Sequence, residues 1–245
     1  MLRWREYREP AVVIVAGVTA VAVFSAVLFQ LGDDGPKAAA PAEPVAPTEQ
    51  VPIPLLSVAA SPSLAPIDSI VYERVPIADT VDLAAEGTID WVHWGEDGRY
   101  SLERKPDGAF TILEGTPSAP RNRHTASPQR FRWTGTSSVT SGISTCGAGN
   151  GFTLSAPAGP GRNTLRLYVG ATNARGTLEV GLSTDVDSSA TITDSWTVEG
   201  PAMQTTAYVI SYRASGTGKI SVKWITAASF DSTCGGVSLQ AAALS

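Results

Sequence analysis

From about residue 72 to the end of the chain, apolar side chains recur at every second position in short runs, and this alternation restricts the fold more than any other feature. In residues 164–170, Leu165, Leu167 and Val169 point one way while Arg166 and Tyr168 point the other. The same pattern places Leu178, Val180 and Leu182 on one face, then Tyr208, Ile210 and Tyr212, then Ile220, Val222 and Trp224, then Val237, Leu239 and Ala241. A period of two puts one face on a core and leaves the other to solvent, as in the strands of antiparallel sheets. Gly and Pro punctuate the runs at 156–161, 174–176 and 214–218. With further strands expected near 88–94, 109–113, 130–134 and 150–155, the count reaches nine or so, and residues 72–245 read as an all-β domain, a jelly-roll-type β-sandwich.

The amino-terminal part is built differently. Residues 11–31 are 21 positions without a charge, long enough at about 1.5 Å per residue to cross about 30 Å of hydrocarbon. They read as a transmembrane helix. Arg3, Arg5 and Arg8 precede the run and Asp33 and Asp34 follow it, which keeps residues 1–10 in the cytoplasm and the carboxy-terminal domain outside. A cleaved signal peptide is the rival reading, with Ala38–Ala40 as its best small-residue site, but its apolar region should span only about 7–15 residues. Eight prolines between residues 32 and 66 rule out a core there, so 32–71 is expected to be an extended spacer with a reach on the order of 100 Å. The chain is thus expected at the cell membrane as a single-pass protein. Its net charge of −5 speaks against a general nucleic-acid-binding surface.

Cys146 and Cys234 each sit just before a run read as a strand. An extracytoplasmic domain is oxidising territory and two is the smallest even count, so a disulfide between them is expected. Two sulfurs are too few for a metal centre.

Residues 87–98, GTIDWVHWGEDG, hold two of six tryptophans and one of two histidines. Alternation sends Ile89, Trp91 and His93 to one face and Asp90, Val92 and Trp94 to the other. Trp91 beside Ile89 is expected in the sandwich core, with His93 satisfied by a neighbour. For Trp94 two readings stand. It plugs the end of the sandwich, or with Asp90 it forms a solvent-facing sugar platform, an apolar ring beside a carboxylate that accepts hydroxyl hydrogens.

A second candidate is the acid-free stretch 121–132, whose Arg121, Arg123, Arg130 and Arg132 could grip an anionic polymer through their guanidinium forks. The alternative is a solvated loop leading into a strand with Phe131 and Trp133 inward. Asp185, Asp187 and Asp194 could offer oxygens to calcium, but the segment lacks the glycine and terminal glutamate of a helical-hand loop, so a turn rich in Asp and Ser is the preferred account and no metal or cofactor is expected. No Gly-x-Ser-x-Gly, His-Glu-x-x-His or phosphate-loop pattern occurs, so no catalytic residue is assigned.

Asp90–Gly95, Gly149–Leu154, Leu165–Gly170, residues 176–180 and the closing Val237–Ala242 together resemble an uncharacterised family of bacterial extracellular β-sandwich domains, over residues 80–245. The resemblance implies a galactose-binding-type jelly roll and a binding or structural module outside the cell. It implies no ligand and no catalytic residue, and the two cysteines depart from its pattern. The expected protein is therefore a membrane-anchored, non-catalytic module for a glycan or envelope component. A structural subunit contacting another envelope protein and a glycan-active enzyme are the alternatives.

Overall fold

The computed structural model describes residues 67–107, 111–115, 121–184 and 189–245. Residues 1–10, the 11–31 run expected to span a membrane, most of the 32–71 spacer, and Asp185 and Asp187 lie outside the described residues. Among the described residues no helix is long and apolar enough to cross a membrane.

The elements run in the order β1 (Ser69–Val75), β2 (Thr80–Asp82), α1 (Leu83–Glu86), β3 (Asp90–Trp94), β4 (Leu102–Arg104), β5 (Leu113–Glu114), β6 (Asn122–His124), β7 (Arg130–Arg132), β8 (Gly142–Ser144), β9 (Gly151–Ala158), β10 (Asn163–Thr172), β11 (Ala174–Thr184), β12 (Ser189–Val198), β13 (Gln204–Arg213), β14 (Gly218–Ser229) and β15 (Gly236–Leu244). They form an all-β sandwich. One sheet follows the order β1-β13-β10-β15-β3-β4, with β8 also on β15 and β6 on β8; the other follows β12-β11-β14-β9-β5. Every pairing within both sheets is antiparallel, while β2 and β7 make a small parallel pair.

The alternating residues do what their period requires. Leu178, Val180 and Leu182 of one sheet meet Leu165, Leu167 and Val169 of the other, with Tyr208, Tyr212 and Trp224 filling the space between. Trp224 is accommodated because Gly176 opposite has no side chain; a Cβ there would stand 2.2 Å from the indole ring. Burying each such side chain contributes about 1.5–3 kcal/mol.

A second apolar cluster lies on the far face of the eight-stranded sheet. There Trp91, Tyr168, Ala241 and Ala243 are covered by Val81, Leu83 and Phe131 from β2, α1 and β7. Asp82 caps α1 by accepting from the Ala84 and Ala85 amides at 3.1 and 3.2 Å. Strand β3 is consequently buried on both faces. This corrects the expected split: Trp91 belongs to the outer cluster, Trp94 to the sandwich core, and Ile89 stands exposed before the strand.

Three segments read as irregular hold strands, one being β6 inside the expected loop after residue 121. β1 begins inside the expected spacer; it is an edge strand bonded to β13 alone, so its exposed residues show no one-sided burial. β12 replaces the expected Asp–Ser turn over its second half, and Asp194 there accepts from the buried Tyr208 hydroxyl at 2.9 Å and pairs with Arg74 at 3.2 Å.

Cys146 and Cys234 are disulfide-bonded, with a Cα–Cα distance of 4.8 Å and a sequence separation of 88. The bridge ties the end of β8 to the start of β15, its sheet neighbour, and removes on the order of 2–4 kcal/mol of freedom from the unfolded chain.

Candidate ligand-binding site

The site grows from the buried strand β3. Asp90 is fully buried, and its Oδ2 accepts from the Ile112 amide at 2.9 Å and the Thr111 hydroxyl at 3.2 Å, with the Arg104 guanidinium at 3.5 Å. This carboxylate therefore positions the segment carrying β5 rather than facing solvent. On β5, Glu114 accepts from the Trp94 indole Nε1 at 2.9 Å and from both terminal nitrogens of Arg121. The forked Arg–carboxylate contact is the strong, geometrically specific kind of ion pair.

Beyond β3 the chain turns at Gly95, whose φ of +84° and close approach to the Gly142 carbonyl exclude any side chain. The Ser101 hydroxyl accepts from the amides of Asp97 and Gly98 at 3.0 and 3.1 Å and closes the turn. That turn presents Tyr100, 67% exposed. The Arg121 guanidinium lies 5.7 Å from the Tyr100 ring centroid and 5.9 Å from that of Phe152, and Arg99 lies 5.2 Å from Tyr100. The result is an exposed aromatic ring flanked by two cations, beside a fixed Trp94–Glu114–Arg121 wall. Leu102, paired with Trp94, and Leu113, before Glu114, are exposed as well.

The sequence-predicted residues are thus rearranged. Trp94 and Arg121 do meet, at Glu114; Trp94 packs into the sandwich, the first of its two readings, and Tyr100 stands exposed where the platform reading would have put Trp94. The open Trp94–Asp90 platform is not formed, since both residues are buried. Nor do the four arginines converge. Arg123 donates to the carbonyls of Gly95, at 2.6 Å, and Glu96, stapling the turn; Arg132 pairs with Asp82 at 3.0 Å; Arg130 is exposed near Asp79. Local alternation could not reveal this, because Arg123 and Arg132 are satisfied by residues distant in sequence.

Both histidines are held neutral. His93 is fully buried, with the Trp133 and Phe131 rings at 5.0 and 5.4 Å, and burial pushes its pKa down to about 4. Burial likewise lowers His124 to about 4, its ring packed against Gly142. Neither imidazole makes a hydrogen bond of full geometry, although the backbone at Ser141 and Ile143 opposes the two shifts in part. Among the described residues no group of three or more His, Cys, Asp or Glu is placed to hold a metal ion.

No family model matches the chain, and no curated protein matches it. Among solved structures, it is similar over 55% of its length to the enzymatically active domain of bacteriophage CBA120 tailspike protein 4, at 12% identity and a TM-score of 0.35, spanning 19% of that chain. It is also similar over 55% of its length to the carbohydrate-binding module TmCBM61 in complex with β-1,4-galactotriose, at 10% identity and a TM-score of 0.32, spanning 86% of that chain.

Proposed function

We propose that this protein is a membrane-anchored, extracytoplasmic β-sandwich module that binds a glycan of the envelope at Tyr100 without catalysing its turnover. The observation that supports this most is the exposed Tyr100 ring standing over the buried Arg121, which is forked on the half-buried Glu114. An apolar ring face stacks on a sugar, and a few fixed polar groups beside it orient the hydroxyls. Preorganised donors and acceptors lose little entropy on binding. The anchor is the uncharged run 11–31 with its preceding arginines. A second reading, a subunit that docks another envelope protein, is supported by the open edge of β1, where Ile67, Val71 and Tyr72 are exposed.

The test is a glycan array probed with the full-length chain and with Tyr100→Ala. Saturable binding to a defined subset of glycans is expected for the wild type and its loss in Tyr100→Ala, with the melting temperature unchanged within a few degrees because the ring is exposed. A wild type that binds no glycan overturns the reading, and so does a Tyr100→Ala variant that binds as well as the wild type.

A further inference from the structure

The outward face of the five-stranded sheet has a gap that the fold does not need. Gly170 and Gly176, inside β10 and β11, are required by close neighbours: a Cβ would stand 2.4 Å from the Ser238 hydroxyl in the first case and 2.2 Å from the Trp224 ring in the second. Gly181, in the middle of β11, is different. Its backbone is not left-handed, and a Cβ there would meet nothing nearer than the Thr191 methyl at 3.9 Å. A β-branched residue would fit and would favour the strand, whereas glycine weakens it. What glycine does create is a notch of about 310 Å³ bordered by Glu179, Thr191, Thr193, Ser221 and Lys223.

The chemistry of that notch is specific. Glu179 and Lys223 pair at 3.3 Å and are both exposed, so the border carries donors and acceptors but no net charge. Hydroxyls of Thr191, Thr193 and Ser221 complete it. Such a border matches the hydroxyls of a neutral sugar and offers no advantage to an anion. The sheet register then carries this outward face to β5, the edge strand whose Glu114 turns the other way, into the Tyr100 site. Gly181 is paired with Thr191 and Ser221, Ser221 with Ser155, and Ser155 with Leu113, the residue before Glu114. From Gly181 to Leu113 is three strand spacings, about 14 Å, which is longer than one sugar ring.

We propose that the ligand is an uncharged linear polysaccharide that runs across the strands of this sheet, from Tyr100 to a distal subsite over Gly181. The proposal rests on the glycan reading of the Tyr100 site and adds to it the class and length of the ligand.

The experiment is calorimetric titration of the full-length chain in detergent micelles with mono- to hexasaccharides of β-1,4-linked glucose, galactose and mannose, and with hexagalacturonate as the charged counterpart. One neutral series should bind with affinity that rises with length. Gly181→Val should weaken its hexasaccharide about tenfold while leaving the disaccharide within about twofold, with a melting temperature at or above that of the wild type. Lys223→Ala, at an exposed position, should weaken the hexasaccharide likewise. Tyr100→Ala should weaken every length. Hexasaccharide binding unchanged in both Gly181→Val and Lys223→Ala, or hexagalacturonate binding tighter than every neutral series, overturns the distal subsite while the Tyr100 site stands. Failure of every series to bind the wild type removes the glycan reading and the subsite with it.

Discussion

His93 makes the stability of the domain sensitive to mild acid. Its pKa falls from the ordinary 6.5 to about 4 because the ring is buried against Phe131 and Trp133. Between those two values the unfolded chain binds a proton at this residue that the folded chain does not. Stability is therefore fully present above pH 6.5, declines as the pH falls, and levels off below about 4. The difference of about 2.5 pH units, at about 1.36 kcal/mol each, is worth about 3 kcal/mol, out of a total of about 5–15 kcal/mol for a domain. His124 acts in the same direction. Asp231, held low chiefly by the Thr233 amide, acts only in the carboxylate range and leaves the upper part of this window to the histidines. Equilibrium urea unfolding of a polypeptide spanning residues 60–245, followed by tryptophan fluorescence between pH 7 and 5, measures the slope. His93→Phe keeps an aromatic ring in an aromatic setting and removes the titration, so the slope should drop by up to about 1.4 kcal/mol per pH unit. A wild type equally stable at both ends of that range, or an unchanged slope in His93→Phe, would refute the reasoning.

Two further outcomes are expected. Trp91→Ala and Trp94→Ala each open a cavity in a different core cluster and should each cost about 3–5 kcal/mol in urea unfolding; a Trp94→Ala variant as stable as the wild type would contradict its burial. A reporter enzyme fused after Ser245 should be active only outside the cytoplasm, given the arginines ahead of residue 11, and cytoplasmic activity would reverse the proposed orientation.

The sandwich was legible wherever one face of a strand meets the core and the other meets water. β10, β11, β13 and β14 fall where alternation puts them, whereas in β15 a bulge at Gln240 turns Ala241 away from the face of Val237 and Leu239 and into the outer cluster. The disulfide joins the two cysteines that their count and an expected oxidising compartment pair. β3 was legible as a strand but not in its environment, because α1 and β7 return over its outer face and bury Trp91 and His93, while the segment carrying β5 closes over Asp90 on the face of Val92 and Trp94. β1 and β12 are sheet edges; β1 shows no one-sided burial, and the stripe of Ala190, Ile192 and Trp196 in β12 is interrupted by Asp194, paired with Arg74. At the candidate site, Trp94 and Arg121 were visible from residue type alone. Glu114 was not, since its role comes from a β5–β9 pairing far apart in sequence. Tyr100 was missed because an aromatic residue in a Gly-bounded turn carries no periodic signal.

The disulfide also decides how the domain would yield to a mechanical load. A pull arriving from the amino-terminal side enters at Ser69 and can open β1 from β13 pair by pair, starting at Ser69–Arg213. Continued extension meets Cys146, beyond which the bridge to Cys234 closes off a loop, of sequence separation 88, that contains β9 to β14. At about 3.3 Å per residue this withholds about 290 Å of contour from the stretched chain. Tyr100, Glu114 and Arg121 all precede Cys146, outside the covalent loop. Under tension the aromatic site would come apart while strands β9, β11, β12 and β14 remained covalently enclosed, so force alone could release a bound ligand without surrendering the rest of the fold.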